Sequence, residues 1–185
     1  MNSRTSTMAG CMIGLAAVLS CCVENTILAA LFFSIGLLYI RISKLSLFTG
    51  QIQNLKDSSV SFPQLLGCLI WNICGVTWIF WIMFFFDFPA AADKYFAITA
   101  LKWSHPWYHY IASGMCCGAL MTIATKKESP LWLSILCVMA FILAGFNHCI
   151  ADWFYVFGSS DPIKYLYWFL IVIGNFFGGY LAATK

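Results

Sequence analysis

Gly145-Phe146-Asn147-His148-Cys149-Ile150-Ala151-Asp152 decides how the chain folds. It interrupts an apolar run that begins at Pro130, and the run resumes from Trp153 to Phe157. An amide, an imidazole and a carboxylate thus fall within one otherwise apolar segment. Ionisable groups at membrane depth are expensive and mark pathways or relays. Irregular backbone there is tolerated only where it lines a cavity or is buried in protein. A second interruption stands earlier: the run Ile27 to Ile40 meets Arg41, Ser43 and Lys44, then Leu47-Phe48-Thr49-Gly50-Gln51.

The surrounding composition makes these segments membrane segments. Of 185 residues, 62% are apolar and 9% charged, with a net charge of +3. A soluble domain shows about 45–50% apolar and about 25% charged residues. So few charges cannot coat a globule, which excludes a soluble enzyme, a disordered tail and a basic nucleic-acid binder. At roughly 20 residues per span, the chain has room for six or seven crossings and little else.

Six spans are predicted. The first, Met8 to Val23, is short and reads as a retained helix in preference to a cleaved signal with a lipidated cysteine. The second is Ile27 to Ile40 with its interruption, and the third Leu65 to Phe86. The fourth is Trp107 to Thr125, the fifth Pro130 to Phe146 with its interruption, and the sixth Tyr165 to Ala183. Aqueous stretches are expected at 24–26, 56–59, 87–94, 126–128 and 159–162.

Interrupted spans at matching places in two halves point to an inverted-repeat transporter with a midplane site. The expected fold is therefore all-α and integral to the membrane. Six transmembrane helices form an inverted 3+3 repeat, with the second and fifth broken, in an aquaporin-like architecture. The halves are 1–94 and 95–185 of one membrane domain. Asn72-Ile73-Cys74-Gly75 in one half answers Asn175-Phe176-Phe177-Gly178 in the other. Small residues at Gly10/Gly14, Gly114/Gly118 and Gly174/Gly178 allow close helix approach. Basic residues favour both termini inside: Arg4, Arg41, Lys44, Lys56, Lys126, Lys127 and Lys185 against Lys94, Lys102 and Lys164.

His148 is the leading candidate for chemistry. Dry surroundings favour the neutral ring, and an arriving anion favours the protonated one, which makes it a proton donor to a small anion. Thr49, with Gly50, sits at the other interruption, where its hydroxyl and freed N–H groups can bind an anion or close a gate. Lys102, just before the fourth span, is either an interfacial lysine or a fixed charge that concentrates anions at a pore mouth. Phe33, Leu37 and Phe141 lie upstream of the interruptions and are core residues or dry constrictions. His105 and His109, at i,i+4, admit a metal or haem site but sit in an aromatic belt with Pro106, Trp107, Tyr108 and Tyr110. The nine cysteines show no CxxC and read as small apolar packing residues. No cofactor or metal is expected.

Together these motifs resemble the formate/nitrite transporter family. The likeness rests on Phe33-Ser34-Ile35-Gly36-Leu37, Leu47-Phe48-Thr49-Gly50, Gly145-Phe146-Asn147-His148 and Gly174-Asn175-Phe176-Phe177-Gly178-Gly179, and on Lys102 twelve residues ahead of Gly114. The resemblance implies a homopentamer with one pore per protomer, moving small monovalent anions across a bacterial cell membrane. It makes His148 the central pore histidine, Thr49 the gating-loop threonine and Lys102 the vestibule lysine. It puts Phe33 and Phe141 at the outer constriction, Leu37 at the inner side, and Asn72 and Asn175 as paired asparagines. The chain departs from the family pattern at five positions: Asn147 and Ser46 replace acids, Gln51 and Gly118 replace asparagines, and Asp152 replaces an asparagine.

The function expected is proton-linked passage of formate past His148 and Asn147, with nitrite or hydrosulfide as alternative anions. Protons and the lipid bilayer are the other expected partners. A haem-binding membrane anchor and a non-conducting paralogue are the competing readings.

Overall fold

The computed structural model describes residues 2–86 and 89–184. Asp87 and Lys185, counted above in a loop and among the basic residues, lie outside them.

The described chain is built from helices joined by short connections. α1 runs Ser3–Cys21 and α2 Thr26–Ile42. A short α3, Phe48–Gln51, passes into a single 3-10 turn at Ile52–Leu55. α4 is Phe62–Phe85, α5 Pro89–Lys102, α6 Trp107–Thr125 and α7 Leu131–Leu143. α8 is Cys149–Val156 and α9 Ile163–Ala182. Local chemistry sets several starts. Asn2 and Asn25 cap α1 and α2 by accepting from Arg4 N–H and from Ile27 and Leu28 N–H. Ser61 and Gln64 form a capping box at α4, with Pro63 in its first turn. At 24 residues α4 is about 36 Å long, enough to cross a bilayer with tilt. α1, α4 and α9 are each long and apolar enough to cross a membrane.

Two helix pairs form the frame. α1 packs on α4 so closely that Gly10 lies against the backbone of Asn72, and Gly75 against that of Thr7. α6 packs on α9 in the same manner, Gly118 against the backbone of Asn175 and Gly178 against that of Met115. A side chain at any of the four would collide with a peptide carbonyl, so only glycine allows this approach. α2 and α7 lie beside each other, and α3 and α8 enter the middle.

The outward surface is apolar, with Trp71, Trp78, Phe169, Phe177 and Leu181 all exposed. Polar side chains are turned inward instead: Thr49, Asn72, Asn147, His148, Asp152 and Asn175 are all buried. This inversion is what a lipid-facing bundle requires.

One element departs from the sequence expectation. The stretch 87–94 reads as aqueous, but from Pro89 onward it is helical, and Ala91, Tyr95 and Thr99 form a buried seam along α5. Lys94 misleads because its ammonium docks on the Val23 carbonyl. The boundary expected between 94 and 95 falls inside this helix. Contacts also sort the chain ends. Lys56 meets the Ala183 carbonyl, Lys126 meets Thr184, and Thr5 meets Ser46, which places both described termini at one end of the bundle.

Candidate functional site

Two short stretches, 43–47 and 144–148, carry the chain from α2 to α3 and from α7 to α8. Both helices end by the same turn. The N–H of Leu45 donates to the Ile40 carbonyl at 2.9 Å, and that of Phe146 to the Phe141 carbonyl at 2.8 Å. The residue before each donor is left-handed: Lys44 at φ 53° and Gly145 at φ 71°. This six-to-one closure stops a helix and satisfies its last carbonyls.

An asparagine then clamps each stretch. Asn72 accepts from Phe48 N–H at 2.7 Å and donates to the Ser6 and Ser46 carbonyls at 2.7 and 3.0 Å. Asn175 accepts from Cys149 N–H at 2.8 Å and donates to the Gly114 and Asn147 carbonyls at 2.9 and 2.8 Å. Three bonds from one buried amide satisfy irregular backbone that water cannot reach. Asn72 and Asn175 thus fix where α3 and α8 begin.

His148 caps α8. Its Nδ1 accepts from Ala151 N–H at 3.1 Å. That nitrogen therefore carries no proton, and the neutral ring has its single N–H at Nε2. Nε2 lies 3.0 Å from Thr49 Oγ1, so it donates to the Thr49 hydroxyl. The hydroxyl hydrogen of Thr49 remains available to another acceptor. The structure thus brings the two interruptions together through one buried hydrogen bond.

An aromatic column stands over this bond. Phe141 stacks on the His148 ring with centroids 5.7 Å apart, and Phe33 meets Phe141 edge-on at 6.0 Å. Leu37 is buried on α2 one turn after Phe33. His148 is 1% exposed and Thr49 0%, so the pair is shut away from water in this conformation.

Lys102 reaches the same region from the end of α5. Its Nζ stands 2.7 Å from Asp152 Oδ1 and 5.6 Å above the Tyr155 ring. Asp152 lies one turn into α8, where its N–H donates to the His148 carbonyl at 2.8 Å. Lys102 and His148 are therefore neighbours through Asp152. Asn147 is buried, and its Nδ2 has no partner among the described residues.

Other expected residues lie apart from this cluster. Arg41 does not offer a free charge: it donates to Ser134 Oγ at 2.6 Å and to the Lys126 and Ser129 carbonyls at 2.8 Å each. It ties α2 to the connection between α6 and α7. His105 and His109 stack on each other at 4.1 Å at the start of α6. The Asp152–Lys102 pair escapes sequence reasoning, since fifty residues and a change of helix separate its members. The one available signal is that Asp152 is a charge inside an apolar segment and Lys102 a charge just ahead of one.

An apolar bundle that gathers its polar groups around a buried centre has the build of a membrane channel or transporter. The chain belongs to the formate/nitrite transporter family: the model of that family matches residues 3–184. No curated protein gives a significant match. Among solved structures it is similar to a pentameric formate channel with formate bound, at 20% identity and a TM-score of 0.81, covering 97% of this chain and 92% of that one. It is also similar to a channel described as an FNT family ion channel, at 18% identity and a TM-score of 0.81, covering 98% of this chain and 86% of that one. At these identities the likeness shows the fold. Family and neighbours are described by transport and not by catalysis.

Proposed function

We propose that the protein conducts small monovalent anions, formate first among them, with passage linked to a proton at His148. The observation that carries this reading is the buried Nε2–Thr49 bond where α3 and α8 meet. The protein would sit in the cell membrane as a homopentamer with both termini cytoplasmic. Its six spans would form an inverted repeat, with α2 and α3 as one broken span and α7 and α8 as the other. Halves near 1–94 and 95–185 would be the repeating units. The likeness to a pentameric formate channel with formate bound supports the choice of anion and the assembly.

The physical difficulty is moving a charge past a dry constriction. An unpaired ion there costs many kcal/mol. An anion entering between Phe33, Phe141 and Leu37 would accept the Nε2–H of His148 in place of Thr49. The Thr49 hydroxyl, then relieved of that donor, turns its own hydrogen to the guest. Full proton transfer requires a second proton on the ring at Nδ1, supplied by water that enters with the guest, and it breaks the bond from Ala151 N–H. The guest's negative charge favours that protonation. Nε2 then hands its proton to the guest, which leaves a neutral ring protonated at Nδ1. The neutral acid crosses the apolar rings and releases its proton beyond, and the ring regains the Ala151 bond once water has taken the Nδ1 proton and returned one to Nε2. Asn147 offers a free amide donor beside this route, and Asn72 and Asn175 hold the two helix starts in place.

The test is formate flux in proteoliposomes at stepped pH. Wild-type flux should rise as pH falls. His148→Ala should lower it about a hundredfold and flatten the profile. A His148→Ala protein with wild-type flux and pH dependence would remove the proton-linked step. The same assay with nitrite and hydrosulfide ranks the alternative anions.

A further inference from the structure

The Lys102–Asp152 pair has the geometry of a carboxylate guest on an ammonium. The distance, 2.7 Å, is that of a direct charge-assisted hydrogen bond. The two partners face different surroundings. The Lys102 side chain is 16% exposed and the Asp152 side chain 3%, so the acid is the more deeply buried partner and meets the cation from within the protein. The acid is also poorly bedded. Asp152 Oδ2 is buried and has no hydrogen-bond partner among the described residues. A buried ion pair kept for stability has its remaining lone pairs satisfied, because an unmade bond forfeits the gain. Asn72 and Asn175 show how thoroughly this protein satisfies a buried polar group that only holds backbone. Asp152 is held by one oxygen alone, one helical turn from His148.

We propose that the Asp152 carboxylate is a tethered competitor for the anion site at Lys102, occupying the ammonium at rest so that a guest must displace it to reach His148. Asp152 is then a specificity-determining residue. It cancels the charge that would otherwise hold any anion at the mouth, and it favours guests that match a carboxylate's hydrogen bonding over those drawn by charge alone. This rests on the anion-channel reading and names how the entry to that site is regulated.

A double-mutant cycle tests it, read by formate flux in liposomes and by formate affinity of the detergent-solubilised protein in calorimetry. Asp152→Asn and the smaller Asp152→Ala should each raise flux and affinity about tenfold by freeing Lys102. The same substitutions in a Lys102→Met background should change either readout less than about twofold, because no ammonium is left to free. A rise of equal size in both backgrounds overturns the proposal, as does flux in the wild type that neither variant raises. If neither Asp152→Asn nor Asp152→Ala stays monodisperse, the carboxylate serves to hold α5 on α8, and the proposal falls. Absence of flux and of binding in every variant and in the wild type would sink the channel reading itself, which is a distinct result.

Discussion

The stretches 43–47 and 144–148 leave their helices by the same turn and are held by the same kind of asparagine, yet they present different chemistry. The two clamps set a register: Phe48 answers Cys149, Leu47 answers His148, and Thr49 answers Ile150. The buried polar pair is therefore not a pair of equivalents. His148 has a leucine for its counterpart and Thr49 an isoleucine, all four buried. One stretch contributes the ring and the other the hydroxyl, and the answering position in each case is apolar. Duplicate backbone holds both sides, while the asymmetry of side chains leaves the ionisable ring on one side alone.

The strongest way to break this comparison is to attack the clamps. Asn72→Ala and Asn175→Ala each remove three buried hydrogen bonds to backbone and strand a buried N–H. Each should destabilise the protein by about 3 kcal/mol or more. Unfolding in detergent should give losses that agree within about 1 kcal/mol. A large loss for one and none for the other would show that the two stretches are not equally held.

The chemistry is sharpened one step down in size. Thr49→Val removes the acceptor of the His148 proton and the donor left for a guest. It should lower formate flux about tenfold, whereas Ile150→Val, at the answering position, should change it less than about twofold. Equal effects in proteoliposomes would make Thr49 a packing residue.

The smallest contrast lies in the turns. Gly145 sits at φ 71° in open space, so Gly145→Ala suffers backbone strain alone and should destabilise by about 1 kcal/mol. Lys44 already bears that strain at φ 53°, so Lys44→Gly should stabilise by a few tenths to about 1 kcal/mol. Thermal unfolding of the two variants should move in opposite directions.

Much of this is legible in the sequence. Hydropathy places α6 at Trp107–Thr125, the same bounds that the structure shows. The repeated Asn-x-x-Gly marks both clamps, because a buried amide and a close-packing glycine three residues on leave a plain signature. The destination of each amide is not readable, since its partners come from helices far along the chain. α5 escapes because its mild, alanine-rich composition resembles a loop when Asp93 and Lys94 are counted as solvated. Sequence spacing sets Thr49 and His148 at matching interruptions; the structure joins them by one hydrogen bond and gives them different answering residues, Ile150 and Leu47. Sequence spacing shows that two interruptions exist, but only the asparagine bonds fix their register.

The glycine seams between α1 and α4 and between α6 and α9 carry one more consequence. Peptide groups there touch with no side chain between them, so a slide by one residue would drive a carbonyl into a neighbouring backbone. The long helices are in effect bolted together. In the proposed channel, any rearrangement at the centre would have to leave these two seams intact and fall to the shorter elements packed between them.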